Sequence, residues 1–369
     1  MPVHIVGWGK YVPERILTND DLSRMVDTSD EWIVSRTGIR ERRVASAEET
    51  TASMAVQAAR RALEVAGLRP AQVELIIVAT MTPDYVFPST ACLVQDALGA
   101  SHAAAFDIGA GCSGFVYGLS VASNMIRSGA YANALVIGSE TMSRVLDWTD
   151  RETCVLFGDG AGAVLLQAKD IEGGVLASML GADGSGSEVL FIPAGGSRLP
   201  TSSETVAERL HYVTMKGREV YRFAVHAVPD ATRSVLERAG QDVADVDMII
   251  PHQANQRIMD ASAKVLGISV DKIYSNLSAY GNTSAASIPI ALCEAVERGL
   301  IQRDHLIVCV GFGGGLTWAA AAIRWTVRLP SEPISGWEAL WYRVQYRYAS
   351  FRSSMRRLLR AILAWWIKE

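Results

Sequence analysis

Metal-site and disulfide patterns are missing from this 369-residue chain. Its five cysteines (Cys92, Cys112, Cys154, Cys293 and Cys309) are an odd number, with no C-x-x-C pair and no Cys/His cluster at zinc spacing. That argues against a disulfide framework and a structural metal, and for a reducing cytoplasm. No secretory leader is expected either, because the opening Met1-Pro2-Val3-His4-Ile5-Val6-Gly7 reads as the start of a strand. Two charge-free stretches, 108–126 and 306–323, have the length of a membrane span, but each is broken by four glycines. They read as buried strand–turn segments of an α/β core. Charged residues are only 20% of the chain and hydrophobic ones 49%, ordinary for a soluble α/β enzyme large enough to bury a sizeable core.

What is present centres on Cys112, in Phe106-Asp107-Ile108-Gly109-Ala110-Gly111-Cys112-Ser113-Gly114-Phe115. An apolar run ends in small residues, and a helix-like stretch starts at the cysteine and continues to about Arg127. A cysteine on a first helical turn lies where the dipole and free N–H groups favour thiolate over thiol. A free cysteine is equally at home as a small core residue, so by itself the position leaves both readings open. Two similar junctions shift the balance. Ile249-Ile250-Pro251 ends in His252, and Tyr280-Gly281 presents Asn282 at the mouth of another helix. Asp107, Asp159 and Glu188 are read as structural, and His4, His102, His211, His226 and His305 as structural or surface groups.

The chain also repeats itself. Leu63-Glu64-Val65-Ala66-Gly67 followed by Val73-Glu74-Leu75-Ile76-Ile77 returns 173 residues later as Leu236-Glu237-Arg238-Ala239-Gly240 and Val246-Asp247-Met248-Ile249-Ile250. Each copy predicts a glycine-closed amphipathic helix, a short link and a buried strand. Gly111-Cys112-Ser113 is echoed by Gly281-Asn282-Thr283 at an offset of 170. Two similar α/β halves follow, 1–170 carrying the cysteine and 171–327 carrying the His and Asn. Residues 184–210, rich in Gly, Ser and Thr, read as a surface loop.

These junctions, with Asp30-Glu31-Trp32-Ile33, Arg36-Thr37-Gly38-Ile39-Arg40 and Gly311-Phe312-Gly313-Gly314-Gly315-Leu316-Thr317-Trp318, make the chain resemble the thiolase-fold condensing enzymes. The similarity, to β-ketoacyl-acyl-carrier-protein synthase III, runs from about residue 3 to 326. It implies an α/β thiolase-like fold layered helix–sheet–helix–sheet–helix, with the active site where the halves meet. It implies Cys112 as the nucleophile accepting an acyl group from acyl-CoA, an assignment suited to thiolate chemistry. His252 and Asn282 become neutral donors to the thioester oxygen of malonyl-acyl carrier protein, and the N–H groups of Cys112 and Gly314 an oxyanion hole. The CoA contacts are Thr28, Trp32, Arg36, Thr37, Arg151 and Asn255. Phe312 lines the acyl pocket, and Phe87 reaches into that of a partner subunit in a homodimer. Gln253, Ala254, Asn255, Gln256 and Arg257 form the carrier-protein contact. No cofactor, metal or nucleic acid is expected. A related acyltransferase of a polyketide-like pathway shares this residue set, and an inactive scaffold recruited by its tail is the alternative from another class.

The tail departs from the family. A Pro/Ser/Gly linker, 328–336, precedes 337–369, where apolar residues at 337, 341, 344, 348, 351, 355, 358, 362 and 365 alternate in fours and threes as one amphipathic helix. Seven Lys/Arg and three Glu after residue 330 give the tail +4, leaving −8 on the rest of a chain with net −4. A basic face opposite an aromatic and aliphatic one places the tail on a membrane surface or a partner protein, ahead of its own globular domain, with a coiled-coil seam between subunits as a further competing reading. The expected location is cytoplasmic and peripheral at the membrane.

Overall fold

Residues 1–327 and 336–366 are described by the structure, a computed structural model. The linker expected at 328–336 thus falls outside the described residues apart from Gly336. Apolar runs build two sheets. The first comprises β1 (Val3–Tyr11), β2 (Leu75–Ala79), β3 (Ala104–Ile108), β4 (Asn133–Thr141) and β5 (Asp159–Ala168), in the order β1-β5-β4-β2-β3. β2 pairs in parallel with β3 and β4, while β5 runs antiparallel to β4 and β1. Every residue of β2 and β4 is buried, which is why both lack the alternation of a half-exposed strand. The second sheet holds β6 (Gly174–Ala182), β7 (Met248–Pro251), β8 (Leu306–Gly313) and β9 (Thr317–Arg324), in the order β7-β8-β9-β6.

Helices fill three layers. The longer ones are α1 (Asp30–Thr37), α2 (Thr51–Ala66), α3 (Thr90–Leu98), α4 (Gly114–Arg127), α5 (Gly217–Ala239), α6 (Gln256–Leu266) and α7 (Ser287–Glu297), while α8 (Gly336–Trp366) packs outside the layers. Phe115 and Leu119 of α4 and Ile288 and Leu292 of α7 share one apolar cluster with Val136 and Val164 of the first sheet and Ile250 and Ile307 of the second. That cluster is the middle layer. α2 and α3 cover the outer face of the first sheet, and α5 and α6 that of the second. The sequence repeat appears as matching units. α2 closes on Gly67 (φ 66°) before a turn at Pro70–Gln72 and β2; α5 closes on Gly240 (φ 65°) before a turn at Val243–Asp245 and β7. Both glycines adopt the left-handed conformation that ends a helix without a Cβ penalty.

Two expectations are corrected. The 184–210 segment contains a two-residue strand, Leu190–Phe191, paired with Thr214–Met215, and a short helix, Ser203–Ala207. α8 docks on its own domain. Tyr342, Tyr346, Ala349 and Ser353 are buried; Arg60 of α2 lies 4.4 Å over the Tyr346 ring, and Ser353 Oγ donates to the carboxylate of Asp96 on α3. The large apolar stripe read from the sequence is not the buried face, since Trp337 is 82% exposed and Phe351 63%. Hydrophobic periodicity finds the most apolar arc; shape and polar partners on α2 and α3 select another. Among the described residues, no helix is long and apolar enough to cross a membrane.

Candidate active site

β3 leads through a tight turn, Gly111–Ser113, into α4, so the helix begins two residues after Cys112 rather than at it. β8 presses on this turn. A Cβ on Gly313 would stand 2.4 Å from the Cys112 nitrogen, and one on Gly311 would stand 3.0 Å from the Ser113 Cα. Only glycine permits that approach. The next residue, Gly314, lines a cavity together with Cys112.

His252 follows β7 and is buried, its Nδ1 2.6 Å from Ser287 Oγ at the start of α7. The same hydroxyl accepts from Gln253 N–H at 3.4 Å, and Phe312 meets the imidazole at 5.2 Å between ring centroids. Burial lowers the His252 pKa to about 3, so the ring is neutral near pH 7. Asn282 is held by its backbone, donating to Leu156 O and accepting from Gly158 N–H. Its Oδ1 accepts from Ser284 N–H at 2.8 Å, which leaves the NH2 end for a ligand.

Cys112, His252, Asn282 and Phe312 line one cavity of about 130 Å³. Cys112 also lines a second, larger one of about 450 Å³ with Met81, Met142, Leu190, Ile192 and Gly314. Cys112 therefore stands where two mainly apolar chambers meet, the smaller one bearing His252 and Asn282. The loop expected to be mere surface supplies Leu190 and Ile192 to the larger chamber.

Beneath the thiol lies Glu140, fully buried at the end of β4 and overlooked in the sequence. Its Oε2 accepts from Thr80 Oγ1, Met81 N–H, Thr82 N–H and Thr82 Oγ1, the last at 2.6 Å, and its Oε1 accepts from Ser284 Oγ at 2.9 Å. One carboxylate thus ties the wall of the larger chamber to the Asn282 turn. The signal was a lone acid in the otherwise apolar Leu135-Val136-Ile137-Gly138-Ser139-Glu140. Burial pushes the Cys112 thiol up to about 12; the Ser284 hydroxyl opposes this and the Glu140 charge adds to it. The expected preference for thiolate is thereby overturned for the free enzyme, because desolvation outweighs the helix end.

Around Trp32 of α1, the Arg36 and Arg151 guanidinium carbons lie 4.6 and 5.3 Å from the ring centroid. Arg151 also donates to the Asp27 carbonyl at 2.7 Å. Thr28 Oγ1 is buried without a partner. Thr37 faces inward, donating to Ile33 O and accepting from Ile39 N–H. Asn255 caps α6 and donates to Arg36 O at 3.0 Å.

Gln253 departs from its expected surface position. It is 1% exposed, and its amide is spent on Pro251 O, Tyr274 O and Asn276 N–H. Ala254 lines the smaller cavity, and Gln256 bonds Asp260 and Ser275. Arg257 borders an open groove with Arg218, Tyr221 and Arg222; the two additional arginines, lying in another helix, carried no motif. Phe87 is 85% exposed beside Val86, away from both cavities. Asp107 caps α3 through Thr90 and Ala91 N–H, and Asp159 accepts from Ala45 and Ser143.

Two family models match the chain, 3-oxoacyl-[acyl-carrier-protein] synthase III over residues 106–184 and its C-terminal counterpart over 236–325. A β-ketoacyl-[acyl-carrier-protein] synthase III of Caldanaerobacter subterraneus is 56% identical over 322 residues, covering 87% of this chain and 97% of the relative. The crystal structure of 3-oxoacyl-[acyl-carrier-protein] synthase III from Aquifex aeolicus is 49% identical with a TM-score of 0.82, covering 88% of this chain and all of that one. The priming β-ketosynthase of the R1128 polyketide pathway is 36% identical with a TM-score of 0.83, over 89% and 97% of the two chains.

Proposed function

The chain belongs to the 3-oxoacyl-[acyl-carrier-protein] synthase III family, and from that premise we propose that Cys112, His252 and Asn282 divide a two-stage condensation between them. The enzyme is a thiolase-fold acyltransferase that initiates fatty-acid synthesis, with acyl-CoA and malonyl-acyl carrier protein as substrates. The products are 3-oxoacyl-acyl carrier protein, CoA and carbon dioxide.

In the first stage the Cys112 sulfur would bond to the acyl carbon, the C–S bond to CoA would break, and the thiol proton would leave with the CoA thiolate. A thiol this buried stays protonated in the free enzyme, so proton loss accompanies attack. The N–H groups of Cys112 and Gly314 would hold the oxyanion. In the second stage the malonyl carboxylate would leave as carbon dioxide, its electron pair forming an enolate. His252 and the Asn282 NH2 would donate to that enolate oxygen. The enolate carbon would then bond to the acyl carbon as Cys112 leaves and recovers a proton. Both donors must be neutral for this task, because an imidazolium would give up its proton to the enolate instead of sharing it.

The observation that carries this reading is the position of Cys112 at the junction of two cavities, a smaller one with His252 and Asn282 and a larger one with room for an acyl chain. Trp32 with Arg36 and Arg151 would hold the CoA adenine, with Thr28 and Asn255 beside it; Thr37, facing inward, would support that edge. Arg257, joined by Arg218 and Arg222, would meet the acidic carrier protein. We place a homodimer contact along the free edge of β3 and at exposed Val86 and Phe87. The enzyme would be cytoplasmic, with the tail as a contact to a membrane surface or a partner protein.

Intact-protein and peptide mass spectrometry after exposure to a panel of acyl-CoAs tests the assignment. Acyl adducts are expected on Cys112, and none on Cys112→Ser. An adduct on Cys92, Cys154, Cys293 or Cys309 instead would overturn it.

A further inference from the structure

The docked helix α8 divides into arcs with different jobs. At about 100° per residue, buried Tyr342, Tyr346, Ala349 and Ser353 share one arc, the seat on α2 and α3. Roughly 150° around the helix lies a second arc containing Trp337, Trp341, Val344, Tyr348, Phe351 and Leu358, between 46% and 82% exposed. Arg347 flanks this stripe on one side, Arg352 and Arg356 on the other. Over Gly336–Trp366 there are six arginines against a single glutamate, Glu338.

We infer that α8 is a rigid strut that seats the enzyme on an anionic lipid surface through this arginine-flanked stripe. It rests on the reading of the tail as a contact surface and commits that reading to one occupant. The helix is about 45 Å long, and the face opposite the stripe is held by the protein, so the stripe is presented already folded. An apolar arc of this kind sinks about 5–10 Å into the boundary between headgroups and acyl chains. Arginines at its edges keep their stems along the apolar layer while the guanidinium groups reach lipid phosphates. Trp337 and Trp341 suit the headgroup level, where one end of the ring is wet.

Charge favours lipid over a second copy of the chain. Bringing two stripes together would set arginine flanks against arginine flanks, whereas an anionic surface opposes them with the complementary sign. The rest of the chain carries a net −8, so the same surface repels the catalytic body and turns the helix toward itself. The match to the Caldanaerobacter relative covers 97% of that protein but 87% of this chain, so the catalytic body has its full family length without the strut.

Co-sedimentation of the full-length enzyme with phosphatidylcholine vesicles, and with equimolar phosphatidylcholine–phosphatidylglycerol vesicles, tests the inference. The wild type should partition onto the anionic vesicles only and come off as salt is raised. Phe351→Ser with Leu358→Ser should reduce partitioning about tenfold or more, since both side chains lose apolar contact with lipid. Its thermal melt and vesicle-free condensation activity should match the wild type. Equal sedimentation of wild type and variant overturns the proposal, as does equal binding to neutral vesicles. If the variant instead has a smaller assembly mass in sedimentation velocity without lipid, a second copy covers the stripe and the lipid assignment fails, while the tail remains a contact surface. An error in the catalytic reading would show separately, as absent acylation of Cys112.

Discussion

His252 is the residue where burial and function bear on each other most directly. Its folded-state pKa of about 3 lies well below the ordinary value of 6.5. Between those values the unfolded chain binds a proton that the folded one refuses, so this group's contribution to stability is full above pH 6.5 and is lost as pH falls toward 3. The slope from one such group is at most about 1.4 kcal/mol per pH unit. His252→Gln should remove that part of the acid sensitivity, read from urea midpoints across the window. The same variant should still acylate Cys112 yet decarboxylate malonyl-acyl carrier protein about 10²–10³ more slowly, as expected for loss of one preorganised donor. An unchanged acid slope would mean that the folded protein accepts the proton after all. Ser287, whose hydroxyl meets Nδ1, has no signature in the sequence until folding supplies its partner, whereas Glu140, which anchors Ser284, left only the mark of a lone acid in an apolar strand.

At the scale of elements, the site is made where strands end and helices begin. The turn after β3, the loop after β7 and the turn before α7 each bring one group of the proposed site; glycines mark the first and third in the sequence, and an apolar run ending at Pro251 marks the second. The basic groove is of another kind, since Arg218 and Arg222 belong to α5 while Arg257 belongs to α6. These helices pack side by side, although about forty residues of sequence separate the arginines. Arg218→Glu combined with Arg257→Glu should raise KM for malonyl-acyl carrier protein about tenfold or more, because two reversed charges repel an acidic partner. Acylation by acyl-CoA should stay near the wild-type rate. Equal losses in both half-reactions would show that these arginines support the fold rather than the docking.

For the whole molecule, the tail poses the question of what the catalytic body needs. Both sheets, all three helix layers and both cavities are built from residues before 328. A chain ending at Val327 should therefore fold and keep condensation activity within about twofold, with a Tm lowered by a few degrees as Tyr342 and Tyr346 leave α2 and α3. Loss of soluble protein on truncation would make α8 an obligatory part of the core. Retained activity with an unchanged Tm would mean that the docking seen at Arg60 and Asp96 adds nothing measurable.

The sequence by itself determined what depends on neighbours along the chain. It located the Cys112, His252 and Asn282 junctions, the duplicated helix–strand units and the existence and length of the tail helix, because turns, caps and periodicity are local properties. Only the tertiary structure decided the rest. It placed Glu140 beneath the thiol, buried Gln253, brought Leu190 to the larger cavity and set Arg218 beside Arg257. It also raised the thiol pKa that the helix end alone would have lowered, since desolvation is a sum over every atom that excludes water. The same holds for α8. Its sequence marks the most apolar arc, but which arc meets the protein depends on the shape and charge of α2 and α3, and these chose Tyr342 and Tyr346 and left Trp337 outside.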